Sequence, residues 1–167
     1  TVTLTDVNDS PTAMSLSAST VAENAAAGTE VGTLSTTDVD DGDTFTYSIT
    51  AQGVSAAFQI NGDKVEVGTG VLDFETTPTV SVTVRSTDSG GLTFDKAFTV
   101  TLTDVNEAPT GMSLSATTVA ENAAQGIEVG TLSTTDVDDG DTFTYSITAQ
   151  GVSAAFQING DKVEVGT

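Results

Sequence analysis

The amino-acid sequence predicts an all-β protein made of tandem seven-stranded Greek-key β-sandwiches. Three observations lead to this prediction. Short runs alternate apolar and polar residues, turn residues that include 16 glycines separate these runs, and the sequence repeats itself after 98 residues. Helical periodicity is hard to find, and the segment from Glu23 to Gly28 could form at most one helical turn.

The repeat predicts the domain organisation. Asp6 recurs as Asp104, and residues 12–69 differ from residues 110–167 at only four of 58 positions. The offset is the length of one small domain. We therefore expect residues 1–9 to be the last strand and linker of a preceding repeat, residues 10–107 to be a complete repeat, and residues 108–167 to be the first five strands of a truncated repeat.

Seven strands are expected in the complete repeat, because seven short segments carry apolar residues with turn signals between them. They are the segments Met14–Ala18, Val31–Leu34, Phe45–Ile49, Phe58–Ile60, Val65–Val67, Val80–Val84 and Phe98–Leu102. Asn61-Gly62-Asp63 lies between the fourth and fifth strands and predicts a tight hairpin, since Asn and Gly tolerate positive φ.

The composition excludes several functions. The chain has 24 Asp and Glu against 4 Lys and Arg, a formal charge of −20, and neither His nor Cys. Catalytic triads, Cys-His nucleophiles, zinc fingers and thiol chemistry are therefore excluded. The negative charge argues against nucleic acid and anionic lipid as partners, and no apolar run is long enough for membrane insertion.

Acidic residues are concentrated between the predicted strands. Four that stand outside these concentrations, Glu30, Asp63, Glu66 and Asp95, are expected to be solvated surface charge. Carboxylates held together repel one another by about 1 kcal/mol per pair at 4 Å even in bulk water. Four basic residues cannot neutralise the clusters, and carboxylate, amide and carbonyl oxygens are the ligands that Ca²⁺ takes in sets of about six to eight. The sequence therefore predicts calcium binding.

An EF-hand is excluded as the source of this binding. Its loop requires Asp or Asn at the fifth position followed by Gly, whereas the segment that begins at Asp38 has Gly42 and then Asp43.

Five motifs in one 98-residue period together resemble the cadherin repeat of large bacterial surface and secreted proteins. The motifs are Ala22-Glu23-Asn24, Asp38-Val39-Asp40, Leu72-Asp73-Phe74-Glu75, Asp88-Ser89-Gly90 and the linker Asp6-Val7-Asn8-Asp9-Ser10-Pro11. Phe74 stands where animal cadherins usually have Arg. The resemblance implies an immunoglobulin-like architecture and up to three Ca²⁺ ions at each joint between repeats, with ligands from both sides.

The ligands that the resemblance implies fall into two sets. At the joint inside the chain they are Glu23, Asp73 and Glu75 from the complete repeat, Asp104, Asn106 and Glu107 from the linker, and Asp136 and Asp138 from the next repeat. At the first joint they are Asp6, Asn8, Asp9, Asp38, Asp40 and Asp88. Asp41, Asp43, Asp139 and Asp141 exceed the family's ligand list and are expected to be solvated loop charge. The alternative for the whole set is that Asp and Asn cap turns.

These observations predict a mechanical function, a calcium-stiffened stalk or spacer of a bacterial extracellular adhesin or cell-surface fibre. The partners would be neighbouring repeats of the same chain and other copies in a fibre. An adhesive module, homophilic or carbohydrate-binding, is the alternative. An enzyme that uses Asp73 and Glu75 as paired carboxylates is disfavoured, since near-identical tandem units suit a spacer better than a catalyst.

Overall fold

Strands make up the regular secondary structure of the computed structural model, which describes residues 1–152 and 154–167; no helix occurs among these residues. They belong to two units, Thr1–Val105 (unit 1) and Asn106–Thr167 (unit 2), so the division falls within the predicted linker. The strands of unit 1 are β1 (Ala13–Leu16), β2 (Thr20–Ala22), β3 (Glu30–Thr37), β4 (Thr46–Gln52), β5 (Phe58–Asn61), β6 (Lys64–Val67), β7 (Thr79–Thr87) and β8 (Thr93–Thr103). Those of unit 2 are β9 (Gly111–Leu114), β10 (Glu128–Thr135), β11 (Phe156–Asn159) and β12 (Lys162–Val165).

Unit 1, all of whose residues are described, is a sandwich of two four-stranded sheets. The strand order is β1-β3-β6-β5 in one sheet and β2-β8-β7-β4 in the other. The chain changes sheet after β1, β2, β3, β4 and β6, so that only β5-β6 and β7-β8 are consecutive strands within one sheet. Such crossing between sheets is typical of a Greek-key sandwich. The predicted fold class is confirmed.

The first predicted strand is two strands in the structure. β1 pairs with β3, whereas β2 pairs in parallel with β8 of the opposite sheet. Between them Ala18 passes directly over Gly32, where a Cβ atom would lie 2.5 Å from the Ala18 carbonyl oxygen. A residue without a side chain is therefore required at Gly32. The change of sheet places Glu23, which follows β2 directly, at one end of the sandwich.

Apolar side chains at alternate positions of β7 and β8 fill the space between the two sheets. Val80, Val82 and Val84 are at most 1% exposed, and Val100 and Leu102 on β8 are buried to the same degree. Burying one such side chain contributes about 1.5–3 kcal/mol, so this apolar face is the main reason for the two sheets to pack.

The predicted hairpin joins β5 and β6. Asn61 pairs with Lys64, which leaves a two-residue turn of Gly62 and Asp63. Gly62 has a φ of 64°, whereas Asn61 remains in the strand. Glycine at the first central position with positive φ is the pattern of a type II′ turn.

Glu66 is buried, so the expectation that it is solvated surface charge is wrong. Its side chain is 8% exposed, and its carboxylate accepts hydrogen bonds from the amides of Gln59 at 3.2 Å and Asn61 at 2.8 Å. A charged group tolerates burial when it is hydrogen-bonded in this way. Two of the other three residues form exposed ion pairs, Glu30 with Lys64 and Asp95 with Arg85.

Unit 2 has four strands among its described residues, 106–152 and 154–167, in the order β11-β12-β10-β9. Residues 144–150 have the same sequence as β4 but form no strand. In unit 1, β4 is hydrogen-bonded to β7, whereas no strand pairs with residues 144–150 among the described residues of unit 2. The five strands expected for residues 108–167 are thus four here, and Met112 is 69% exposed whereas its counterpart Met14 is 2% exposed.

We expect Glu66→Ala to lower the free energy of unfolding of unit 1 by about 1.5–3 kcal/mol, the range for hydrogen bonds to a charged group. Urea-induced unfolding would measure the loss. Glu30→Ala is the control, because it removes an exposed carboxylate from the neighbouring strand and should cost less. Equal losses for the two variants would contradict the structural role of Glu66.

We also expect Asp95→Asn to make stability less sensitive to acid. Arg85 donates hydrogen bonds to both oxygens of Asp95, at 2.7 and 2.8 Å, and these hold the pKa of Asp95 below its ordinary value of 3.8. The folded chain therefore releases this proton more readily than the unfolded chain. The pair stabilises the fold above the ordinary pKa and loses that effect as the pH falls through the lowered pKa. Thermal midpoints measured between about pH 2 and pH 7 should fall less steeply for the variant.

Candidate metal centre

Glu23 connects three segments at one end of unit 1. It is 2% exposed; its Oε2 accepts a hydrogen bond from the Phe74 backbone amide at 2.7 Å, and its Oε1 accepts one from the Val105 amide at 2.8 Å. One carboxylate oxygen of Glu23 lies within 4.8 Å of one each from Asp73 and Glu75, and we call these three residues the Glu23 cluster. Three predicted ligands are therefore brought together within unit 1.

Asp73 also has a local role in the turn that follows it. Its Oδ1 accepts a hydrogen bond from the Thr76 amide at 2.8 Å, and its Oδ2 accepts one from the Thr76 hydroxyl at 2.9 Å. Capping of a turn, the alternative considered for the aspartates, thus does occur here. Each carboxylate oxygen has more than one lone pair, so capping does not prevent metal binding.

A second group, the Asp38 cluster, consists of Asp38, Asp40 and Asp43, each with one oxygen within 4.8 Å of the others. Oδ1 of Asp38 accepts a hydrogen bond from the Val39 amide at 2.7 Å, as in an Asx-turn. Its Oδ2 is buried and has no hydrogen-bond partner among the described residues, and the same is true of Oδ2 of Asp43. Turn capping therefore accounts for only one oxygen of Asp38. The expectation that Asp43 is solvated loop charge is wrong.

Asp88 lies close to the start of the chain. It is 6% exposed and accepts hydrogen bonds from the Leu92 backbone amide at 2.8 Å and the Asn8 side-chain amide at 3.2 Å. Burial raises the pKa of Asp88, but the hydrogen bonds from Leu92, Asn8 and the Gly91 and Gly90 amides together outweigh it and hold that pKa below its ordinary value. The side chain of Asn8 occupies the place where a Cβ atom of Gly90 would lie, which explains the glycine of this motif.

The linker amides are bonded to the D-x-D aspartates in both units. The Asp9 amide donates to Asp40 Oδ2 at 2.7 Å in unit 1, and the Glu107 amide donates to Asp138 Oδ2 at 2.8 Å in unit 2. The Asp136 cluster of unit 2 consists of Asp136, Asp138 and Asp141. Within the described chain, Asp136 Oδ2 and Asp138 Oδ1 are buried oxygens without a hydrogen-bond partner.

Of the predicted ligands on the linkers, Asp6, Asp104 and Asn106 are exposed and Glu107 is half-buried. Asp6 is in none of the clusters found among the described residues. Asn106 donates a side-chain hydrogen bond to the Glu107 carbonyl at 2.7 Å, as Asn8 does to the Asp9 carbonyl at 2.9 Å. Asp104 directly precedes Val105, whose amide Glu23 holds.

The basic residues of the chain do not neutralise these clusters, because each is engaged elsewhere. Three of them form ion pairs, Lys64 with Glu30, Arg85 with Asp95 and Lys162 with Glu128. The fourth, Lys96, donates a hydrogen bond to the backbone carbonyl oxygen of Met14.

The donors fit calcium. Ca²⁺ binds oxygen at 2.3–2.6 Å, so two oxygens on one ion lie at most about 5.2 Å apart. The 4.8 Å limit within each cluster satisfies this condition. The buried oxygens without partners are the atoms that a cation would satisfy.

A family model described as a cadherin domain matches residues 17–105, more than half of the chain. The chain belongs to the cadherin family. Cadherin domains are extracellular or cell-surface modules that generally bind Ca²⁺ at the junctions between repeats. Cadherin family proteins are adhesion proteins and not enzymes. In the part of the chain that the structure describes, no helix is long and apolar enough to cross a bilayer.

Similar curated proteins come from animals. Human protocadherin Fat 4 is 32% identical over 149 residues, which are 84% of this chain and 3% of that protein. Rat protocadherin Fat 2 is 34% identical over 152 residues, which are 84% of this chain and 4% of that protein. The chain thus spans a few percent of the length of these cadherin relatives.

Solved cadherin structures share the fold. The crystal structure of human protocadherin-24 EC1-2 matches with a TM-score of 0.76 at 23% identity and covers 95% of this chain and 78% of its own. Mouse cadherin-23 EC22-24 matches with a TM-score of 0.64 at 23% identity, covering 90% of this chain and 50% of its own.

We expect Glu23→Ala to destabilise unit 1 even in EGTA, by about 1.5–3 kcal/mol, because the amides of Phe74 and Val105 lose a charged acceptor. Chemical unfolding in EGTA would measure this. Asp41→Ala, which removes an exposed loop carboxylate, is the control and should change little. A loss that appears only in calcium would contradict the structural role of Glu23.

Proposed function

We propose that this chain is a calcium-stiffened structural repeat, a stalk or spacer of a bacterial extracellular adhesin or cell-surface fibre. The observation that carries the proposal is the anchoring of the linker. The Val105 amide is bonded to Glu23 of unit 1, and two residues later the Glu107 amide is bonded to Asp138 of unit 2. Each of these carboxylates belongs to a cluster suited to calcium.

The linker itself carries several of the proposed calcium ligands. The two units divide between Val105 and Asn106, within the four-residue segment that carries Asp104 and Glu107. Calcium bound by the linker carboxylates would neutralise their charge, and the ion would restrict rotation of the segment that carries its ligands. Bound calcium would in this way resist bending of the linker.

The stalk assignment is supported by the similarity of the repeats. Residues 12–69 and 110–167 differ at four of 58 positions, as expected when every unit has the same mechanical task. The animal relatives named above are only 32–34% identical, and Phe74 departs from the usual animal motif, which favours a bacterial protein.

The aromatic residues favour a spacer over a carbohydrate-binding module. Phe58 is 3% exposed, and Tyr47, Phe74, Phe94 and Phe98 pack against the hydrophobic core. Packing of these rings in unit 1 leaves them poorly placed as a platform for sugars.

We expect calcium to raise the thermal midpoint of the chain and to increase its maximum dimension in small-angle scattering, relative to EGTA. At ten times its dissociation constant, a ligand contributes about 1.4 kcal/mol per site. Extracellular calcium sites have dissociation constants of about 10⁻⁴–10⁻³ M, so about 10 mM calcium is required.

Glu75→Ala should weaken calcium binding measured by calorimetry, whereas Glu30→Ala should not, because Glu30 lies on β3 and pairs with Lys64. Glu66 is unsuitable as a control because it is buried. If calcium changed neither the midpoint nor the maximum dimension, the proposed function would be rejected.

A further inference from the structure

We propose that Asp43, and its counterpart Asp141 in unit 2, is an additional calcium ligand beside the D-x-D pair. The family motif quoted above contains Asp38 and Asp40 but not Asp43. This inference rests on the proposed function, since it concerns the same ion. It converts the loop from a two-carboxylate into a three-carboxylate donor set.

The two oxygens of Asp43 have different surroundings. Its Oδ1 accepts a hydrogen bond from the Ser89 hydroxyl at 2.6 Å, whereas its Oδ2 is buried without a partner within the described residues. Asp38 shows the same division, with Oδ1 bonded to the Val39 amide and Oδ2 buried and unpartnered. In each residue one oxygen is used by the fold and the other is withdrawn from water, which is costly for a carboxylate unless a cation is bound.

The backbone explains how Asp43 reaches the cluster. Gly42 has a φ of 99°, a conformation that favours glycine, and it turns the chain so that Asp43 lies near Asp38 and Asp40. In unit 2, Gly140 has a φ of 101° and Asp141 joins Asp136 and Asp138. The three-aspartate group therefore recurs in unit 2, where Asp141 itself is exposed.

Asp41 provides an internal contrast. It lies in the same loop and has the same charge, yet it is exposed and belongs to no cluster in the described structure. Proximity in sequence therefore does not explain the position of Asp43. Its oxygen lies within 4.8 Å of oxygens from both partners, which is within the span that one calcium ion allows.

The test compares two double variants of the full chain. Asp43→Asn with Asp141→Asn removes the proposed ligands from both units, and Asp41→Asn with Asp139→Asn removes the same number of charges from exposed positions. Calcium titration calorimetry should show binding weakened about tenfold by the first pair, and by less than about twofold by the second, since carboxylate number tunes calcium affinity.

The thermal midpoint separates a ligand from a merely structural residue. Asn can still accept the Ser89 hydrogen bond, and it removes repulsion among three carboxylates. The Asp43→Asn and Asp141→Asn variant should therefore have an equal or higher midpoint than the unmodified chain in EGTA, and a smaller increase when calcium is added. A lower midpoint in EGTA with unchanged calcium affinity would overturn the inference.

The two proposals fail differently. If the unmodified chain does not bind calcium, both the proposed function and this inference are rejected. If it binds calcium and the two double variants have the same affinity, the function stands and the role of Asp43 and Asp141 is rejected.

Discussion

The carboxylate of Glu23 is the contact on which the organisation of one end of unit 1 depends. It follows a three-residue strand, is almost fully buried, and accepts backbone hydrogen bonds from Phe74 and Val105. The loop that carries Asp73 and the linker that carries Asp104 are both hydrogen-bonded to this one side chain, through the amides of Phe74 and Val105. The side chain thus connects the stability of the sandwich to the placement of the predicted metal ligands.

Several of the acidic residues divide their two oxygens between folding and binding. Asp38 and Asp136 each cap a turn with Oδ1 and leave Oδ2 buried without a partner in the described parts of the chain. Asp138 accepts a hydrogen bond from the Glu107 amide with Oδ2, and its Oδ1 is buried without a hydrogen-bond partner among the described residues. Local hydrogen bonds therefore prepare the clusters, and mutual repulsion among the carboxylates makes their stability dependent on a cation.

The spacing of the sequence motifs predicts most of the residues of the acidic clusters but misses Asp43. Glu23, Asp73 and Glu75 lie together because the loop after β2 and the loop between β6 and β7 meet at one end of the sandwich, as the grouping of acidic motifs in loops predicts. The D-x-D motif does not include Asp43, so the motif alone predicts a solvated side chain. The positive φ of Gly42 and the Ser89 contact place Asp43 in the cluster. The spacing of Asp38, Asp40 and Asp43 around a glycine is the signal in the sequence that points to this group. Burial of Glu66 is not predictable from its own segment, because it depends on side-chain amides of the neighbouring strand.

The all-β class, the alternating core positions, the hairpin at Gly62 and the grouping of acidic residues in loops are predictable from the amino-acid sequence, because they follow from periodicity and local backbone preference. Tertiary structure decided which segments become strands. The seven residues of β4 occur again at 144–150, yet they form a strand only in unit 1, where β7 supplies the hydrogen bonds. The three residues of β2 likewise depend on β8. A strand satisfies its backbone amides and carbonyls through a neighbour that is distant in sequence, so a local pattern can favour a strand but cannot complete it.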